Sequence, residues 1–237
     1  MDGWLVRLSP GKAQRARCIN AVATGRQPLA QKLAACAELF RALNLPLLVR
    51  ITPFTQPPGL DSQLAEAGWA SHDDTRVMVL PRLAGAALSP GPAPEAGRWM
   101  ELPPAAFAEA IGSLRGSSAS ARAAHAERLR SSPVPYRGFA LVGADEDQIL
   151  ACGQFAHEGG LVGLYDIATA ATRQRRGLGA WICKRLLTIA MNDARPEAAY
   201  LQVGADNAAA RRIYQRLGFA DAYTYHYRAA PAAPGTP

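Results

Sequence analysis

The chain has 237 residues, 49% of them hydrophobic, and a formal net charge of +7. That length suits one large or two small domains, and that apolar content fills a sizeable core, which excludes global disorder. No apolar run approaches the roughly 18–20 residues that span a bilayer, and the opening MDGWLVRLSP has neither a basic n-region nor a long apolar stretch, so neither membrane segment nor signal peptide is expected.

Cys18, Cys36, Cys152 and Cys183 are widely scattered and none forms a C-x-x-C pair. This argues against a zinc site or a disulfide framework and for a reducing, cytoplasmic setting. No metal is expected. The positive charge is Arg-heavy but spread over both halves, without an aromatic-interleaved basic stripe. A small anionic ligand, or merely a soluble basic surface, explains it at least as well as nucleic acid, which is not expected as a partner.

In the first half, WLVRL and ARCINAV flank Pro10-Gly11 and read as a hairpin. Helical periodicity follows, with Leu29, Leu33, Cys36, Leu39 and Phe40 on one face and Pro28 suited to the first turn. LLVRIT then reads as a short buried strand. A helix around Leu60, Leu64 and Ala67 ends at Gly68, a plausible left-handed cap, and Thr75 to Leu80 reads as a strand. The Pro/Gly/Ala-rich stretch from Leu83 to Arg98 continues neither helix nor strand and reads as a linker.

The second half opens with helices near Pro104 to Leu114 and Ser118 to Leu129. Strands GFALVG, ILACGQFA and LVGLYDIA follow, with turns at Asp145-Glu146-Asp147 and Glu158-Gly159-Gly160. A helix from Leu178, the strand AYLQV, a helix after Asn207 and a strand through Tyr223 to Tyr227 complete it. The predicted organisation is residues 1–82, a linker over 83–98, a domain over 99–228 and a disordered tail over 229–237. The class is α/β (α+β), with a mixed, mostly antiparallel sheet flanked by helices. Leu60, Leu64, Gly68 and Trp69 fall at the same offset as Ala210, Tyr214, Gly218 and Phe219, and the matching order of elements favours a duplicated architecture.

Two segments carry chemistry. Gln174-Arg175-Arg176-Gly177-Leu178-Gly179-Ala180 lies between a strand and an amphipathic helix bearing Leu178, Trp181, Ile182, Leu186 and Ile189 on one face. Its glycines allow a tight turn and close backbone approach. The helix N-terminus favours negative charge, and Arg173, Arg175 and Arg176 add to it, so the pattern fits a pyrophosphate. The P-loop spacing is absent, and Ile182 stands where a dinucleotide fingerprint needs its third glycine. The second segment, Asn207 to Phe219, reads N-x-x-A-x-x-x-Y-x-x-x-G-F. Asn207 suits an N-cap, and Ala210, Ile213, Tyr214 and Leu217 make a buried stripe.

In these two segments and their order the chain resembles the GNAT superfamily of N-acetyltransferases, over roughly Gly138 to Tyr227. The resemblance implies acetyl-CoA as acyl donor and a small-molecule or peptide amine as acceptor. It implies that residues 174 to 180 bind the CoA pyrophosphate, and that the strand through Tyr165, Asp166, Ile167, Ala168 and Thr169 pairs with the pantetheine arm. It further implies that Asn207 contacts the cofactor and that Tyr214 protonates the departing thiolate. An amide near Ile167 or Ala168 would stabilise the oxyanion. The first half looks like a degenerate unit of the same kind, with Gly25-Arg26-Gln27-Pro28 in place of the cradle; Pro28 has no amide to offer. No general base is legible. Asp166 lies beside the expected centre, but strand alternation puts it on the face opposite Tyr165 and Ile167 unless a bulge intervenes, and His125, His157 and His226 have no partner spacing. A non-catalytic acetyl-CoA-binding sensor or interaction protein is the competing function. Neither the acceptor nor the oligomeric state can be read from the sequence.

Overall fold

The computed structural model describes residues 1–9, 13–84, 88–144 and 148–231. The Pro10-Gly11 and Asp145-Glu146-Asp147 turns and residues 232–237 of the expected tail lie outside the described residues. Two compact units make up the chain, one of residues 1–76 with 223–237 and one of residues 77–222. Among the described residues no helix is long and apolar enough to cross a membrane.

In the first unit β1 (Trp4–Val6) and β2 (Ile19–Ala21) pair antiparallel, with Trp4 opposite Ala21. Helix α1 (Leu29–Ala42), strand β3 (Leu48–Ile51), helix α2 (Leu60–Glu66) and the start of β4 (Ala70–Leu80) follow. β3 runs parallel to β2 and antiparallel to β10 (Ala220–Ala229), which gives the order β1-β2-β3-β10. Trp4, Ile19, Phe40, Val49, Leu60 and Leu64 form its core. The buried face of α1 departs from the predicted stripe: Leu39 is exposed, and Lys32, Cys36 and Phe40 are buried. A buried ammonium needs a counter-charge, and the Asp2 carboxylate lies 3.4 Å from Lys32 Nζ.

The second unit takes Val77–Leu80 of β4 and continues through β5 (Arg98–Leu102), α3 (Pro104–Leu114), α4 (Ala119–Arg130), β6 (Tyr136–Val142), β7 (Ile149–Glu158) and β8 (Leu161–Thr169). It ends with α5 (Leu178–Ala194), β9 (Ala198–Gly204), α6 (Ala208–Arg216) and the first residues of β10. The strand order is β4-β9-β8-β7-β6-β5, antiparallel from β5 to β8 and parallel between β8 and β9. One core gathers Phe155, Leu164, Trp181, Ile182, Leu186 and Tyr214 against α5 and α6; a second gathers Phe107, Ile111, Leu129 and Cys152 against α3 and α4. This is the mixed, mostly antiparallel α/β architecture that the sequence predicts.

The unit boundaries differ from those read off the sequence. Both boundaries fall inside strands: residues 70–76 of β4 and 223–229 of β10 belong to the first unit, and residues 77–80 of β4 and 220–222 of β10 to the second. The described part of the expected linker, residues 83–84 and 88–98, is held to the second unit instead: Leu83 and Leu88 are buried, Thr188 Oγ1 donates to Leu88 O at 3.2 Å, and Trp181 Nε1 donates to Gly91 O at 3.2 Å. Its prolines and glycines do prevent a regular element, but two leucines and free carbonyls suffice to fix it. Its end also opens β5, which pairs with β6 alone and whose RWMEL carries no apolar run. At the other end, Ala229 is still in β10 and Ala230 N donates to Leu47 O at 3.1 Å, so backbone pairing carries the chain into the expected tail.

The repeat holds in three dimensions at a constant offset: residues 25 and 175, 64 and 214, and 68 and 218 are each 150 apart. Gly25 and Arg175 both have positive φ (74° and 62°), as do Gly68 and Gly218 (79° and 93°). The two helix ends close alike, with Trp69 N donating to Leu64 O at 2.9 Å and Phe219 N to Tyr214 O at 3.0 Å. A β-carbon on Gly218 would come 3.1 Å from Leu80 Cδ1 in a left-handed backbone. Gly218→Ala should therefore destabilise by about 1–2 kcal/mol, read as a lower urea midpoint with unchanged slope.

Candidate active site

β8 makes the first feature of the site. Cys152 pairs with Ala168 and Gln154 with Tyr165, so Asp166 and Ile167 together face Gly153 in a bulge on β8. Asp166 adopts φ 51°, a left-handed value that Asp and Asn tolerate best among non-glycine residues. Gly153 makes room for it, since a β-carbon there would lie 2.6 Å from Ile167 Cδ1. The bulge overturns the expected alternation: the Asp166 carboxylate reaches Gln154, the residue directly opposite Tyr165, while Ile167 packs against the α5 core and Ala168 against the other. Ahead of the bulge β8 also leaves its parallel neighbour. Pairing with β9 stops at Leu164 opposite Leu201, although β8 runs on to Thr169 and β9 to Gly204. The β9-facing edge of Ile167, Ala168 and Thr169 is therefore open.

Asp166 is the charged centre of the site. Arg115 Nη1, at the C-cap of α3, donates to its Oδ1 at 2.7 Å, and Gln154 Nε2 donates to its Oδ2 at 2.6 Å. His125 Nε2, on α4, lies 3.4 Å from Oδ2. Burial by itself raises the carboxyl pKa, but the His125 contact and the Arg115 charge outweigh it and hold the group well below the usual carboxylate range. Asp166 is thus a fixed anion. Gln154, a polar residue in an otherwise apolar strand, is fully buried and directs its amide N–H at that anion. Sequence reasoning missed Arg115 and set His125 aside for want of partner spacing; they stand 51 and 41 residues before Asp166, where no local spacing links them. Gln154 did leave a signal, as the one polar side chain within ILACGQFA.

The loop before α5 is the second feature. Gln174, Arg175, Arg176 and Gly177 are exposed, and Leu178 is buried. Arg175 and Gly177 (φ 86°) turn the backbone through left-handed conformations into the helix. No side chain caps α5, and its first internal bond runs from Trp181 N to Gly177 O. The amides of Leu178, Gly179 and Ala180 therefore have no acceptor within the helix, the arrangement that favours an anion. Arg173 and Arg176 lean on Glu95 at 3.3 and 3.5 Å. Gly179 has a different reason from the expected one, because a β-carbon there would meet Ile213 Cδ1 at 3.3 Å, so this glycine lets α6 approach α5.

α6 supplies the third feature. Asn207 Oδ1 accepts from Ala210 N at 3.1 Å as the N-cap, and the residue is exposed. Tyr214 is nine-tenths buried, edge-on to Phe219 at 6.2 Å, and among the described residues its hydroxyl has no hydrogen-bond partner. Burial raises its pKa, the neighbouring Cys183 adds to the rise, and Arg115 opposes it. The phenol stays protonated across the physiological range.

Asp166→Asn keeps a residue that tolerates left-handed φ but removes the charge. It should cost about 1–3 kcal/mol by urea unfolding, because Arg115 loses its partner. The native pKa of Asp166 is depressed, so its stabilisation is complete above the unfolded value of about 3.9 and is lost as pH falls toward the native one. The wild type should accordingly lose stability below about pH 4 more steeply than the asparagine variant.

Residues 112–219 match the acetyltransferase (GNAT) family model. The chain is 26% identical over 226 residues to the uncharacterized N-acetyltransferase YobR of Bacillus subtilis (strain 168), covering 95% of this chain and 89% of that protein. Its fold is similar to that of a GCN5-related N-acetyltransferase from Kribbella flavida, with a TM-score of 0.65, 19% identity, and coverage of 90% of this chain and 79% of the other. It is also similar to a tandem GNAT protein from the clavulanic acid biosynthesis pathway, with a TM-score of 0.64, 14% identity, and coverage of 86% and 69%. The matched segment lies within the second unit and contains the bulged strand, the α5 loop and Tyr214, and it is over this segment that the chain is similar to the GNAT family of acetyltransferases.

Proposed function

We propose that the protein transfers the acetyl group of acetyl-CoA to a primary amine on a small-molecule or peptide acceptor. The observation that carries this reading is the set of acceptor-free amides at the start of α5, beside an open strand edge. Leu178, Gly179 and Ala180 N–H, with the exposed Gln174, Arg175, Arg176 and Gly177, fit a pyrophosphate. The free edge of Ile167, Ala168 and Thr169 fits the amide-bearing pantetheine arm. Asn207 spends its oxygen on capping α6, which leaves its exposed side-chain N–H groups for a ligand. The first unit lends support, since the amides of Arg26 and Gln27, equivalent to Arg176 and Gly177, already hold a carboxylate.

Acetyl-CoA supplies an acyl group activated as a thioester, and the chain's residues manage charge and protons around it. Tyr214 carries the proton for the leaving sulfur. In water that transfer is uphill, from a phenol near 10 to a thiol near 8.5. The low dielectric here also penalises a sulfur anion: burial pushes the adjacent Cys183 thiol up to about 12. Asp166 is too strong an acid to serve as base at neutral pH, which leaves it as the fixed counter-charge of Arg115 and His125.

Acetyl-CoA at about 100 times Kd should stabilise the folded chain by about 2.7 kcal/mol, measured as a rise in melting temperature. Absence of both a thermal shift and a calorimetric signal at millimolar acetyl-CoA would sink this reading. Ala180→Pro removes one of the amides while leaving the first internal bond of α5 in place. It should weaken binding by about 1.5–3 kcal/mol, the worth of a hydrogen bond to a charged group, at little change in melting temperature. Tyr214→Phe should cut kcat by about 10²–10⁴-fold, with acetyl-CoA affinity preserved, once an acceptor screen with thiol detection has found a turned-over amine. Turnover within twofold of wild type would remove Tyr214 as the proton donor.

A further inference from the structure

The first unit repeats the cradle geometry in an unexpected form. Asp2 brings its carboxylate onto the loop before α1: Arg26 N donates to Oδ1 and Oδ2 at 2.9 Å each, and Gln27 N donates to Oδ2 at 2.9 Å. Lys32 Nζ stands 3.4 Å from Oδ2, donates to Thr24 O at 2.7 Å and Asp2 O at 3.1 Å, and lies over the Trp4 ring at 4.3 Å. Its side chain is only 1% exposed. Gly25 sits so close that a β-carbon would fall 2.2 Å from Asp2 Oδ2, in a left-handed backbone with φ 74°. A glycine, two converging amides and a buried ammonium surround one carboxylate.

Position by position this is the loop of the second unit. Gly25, Arg26, Gln27 and Pro28 stand 150 residues before Arg175, Arg176, Gly177 and Leu178, with the left-handed turn at the same place. The differences favour an anion held from within. Pro28 has no amide where Leu178 has one, and Lys32 replaces the core residue Ile182, so a buried positive charge compensates for the lost donor.

We propose that the Gly25–Pro28 loop with Lys32 is a second oxyanion site, of the class that takes a phosphate or pyrophosphate, and that the chain keeps it filled with its own Asp2 carboxylate. The first unit is then closed to CoA by an internal ligand as well as by the loss of a donor, and the wild type offers pyrophosphate one site fewer than its fold contains. The amide hydrogen bonds keep Asp2 ionised, its pKa being lowered chiefly by Gln27 N–H and then by Arg26 N–H. The inference stands on the first unit alone, whatever the second unit binds.

The test is calorimetric titration of the full chain with inorganic pyrophosphate, comparing wild type, Asp2→Ala and Asp2→Ser. The serine variant guards against misfolding, because its hydroxyl can still accept from the loop amides. Each variant should bind one more pyrophosphate per chain than wild type, and adding Lys32→Met to Asp2→Ala should abolish that extra site. A wild type that binds none beside variants that bind one would overturn the acetyl-CoA reading of the second unit and uphold this one. Equal stoichiometry in wild type and both folded variants, or an extra site indifferent to Lys32→Met, would overturn it.

Discussion

The parting of β8 from β9 is the constraint on which the candidate site depends. Two parallel strands hold each other through slanted hydrogen bonds, and once the ladder stops the backbone groups beyond it need other partners. Here it stops at Leu164, two residues before Asp166, and α5, the next α-helix in the chain, begins with amides that also lack acceptors within the helix. An unpaired strand edge and an uncapped helix start therefore follow one another along the chain.

The bulge also sorts charge to one side. By breaking alternation it turns Asp166 toward α3 and α4, where Arg115, Gln154 and His125 meet the carboxylate, and leaves Ile167 on the face of α5. A half-exposed arginine and a fully buried glutamine stabilise an anion that would otherwise be costly to bury. On the other face Tyr214 is surrounded by apolar groups and keeps its proton.

Duplication explains why the two units look alike and behave differently. The same loop, at the same left-handed turn, precedes α1 and α5. In the second unit it ends in amides without partners, whereas in the first Asp2 satisfies them and Lys32 balances the charge. Leu64 occupies the position of Tyr214, so the first unit also lacks the hydroxyl. Anchoring β1 through Asp2 is useful to a small unit whose first strands are three residues long.

The sequence by itself determined whatever depends on neighbours a few residues away. The helices from Leu29, Leu60, Pro104, Leu178 and Ala208 follow from 3.6-residue periodicity and caps such as Asn207 and Gly218. The Gln174–Ala180 loop and the Asn207–Phe219 helix were legible because their glycines, arginines and apolar stripe are local. The tertiary structure alone decided the rest. The bulge at Asp166 arises from how β7 and β8 are paired, and no composition of LVGLYDIA encodes it. His125 and Arg115 become partners of Asp166 only when α3 and α4 pack on the sheet. The stretch from Leu83 to Arg98 reads as a linker because prolines and glycines exclude regular structure, yet α5 offers Thr188 and Trp181 as donors to its carbonyls. Asp2, an unremarked acid near the N-terminus, gains its role from Arg26, Gln27 and Lys32. Charge pairing and strand pairing act across any sequence distance, and their partners are set by the fold.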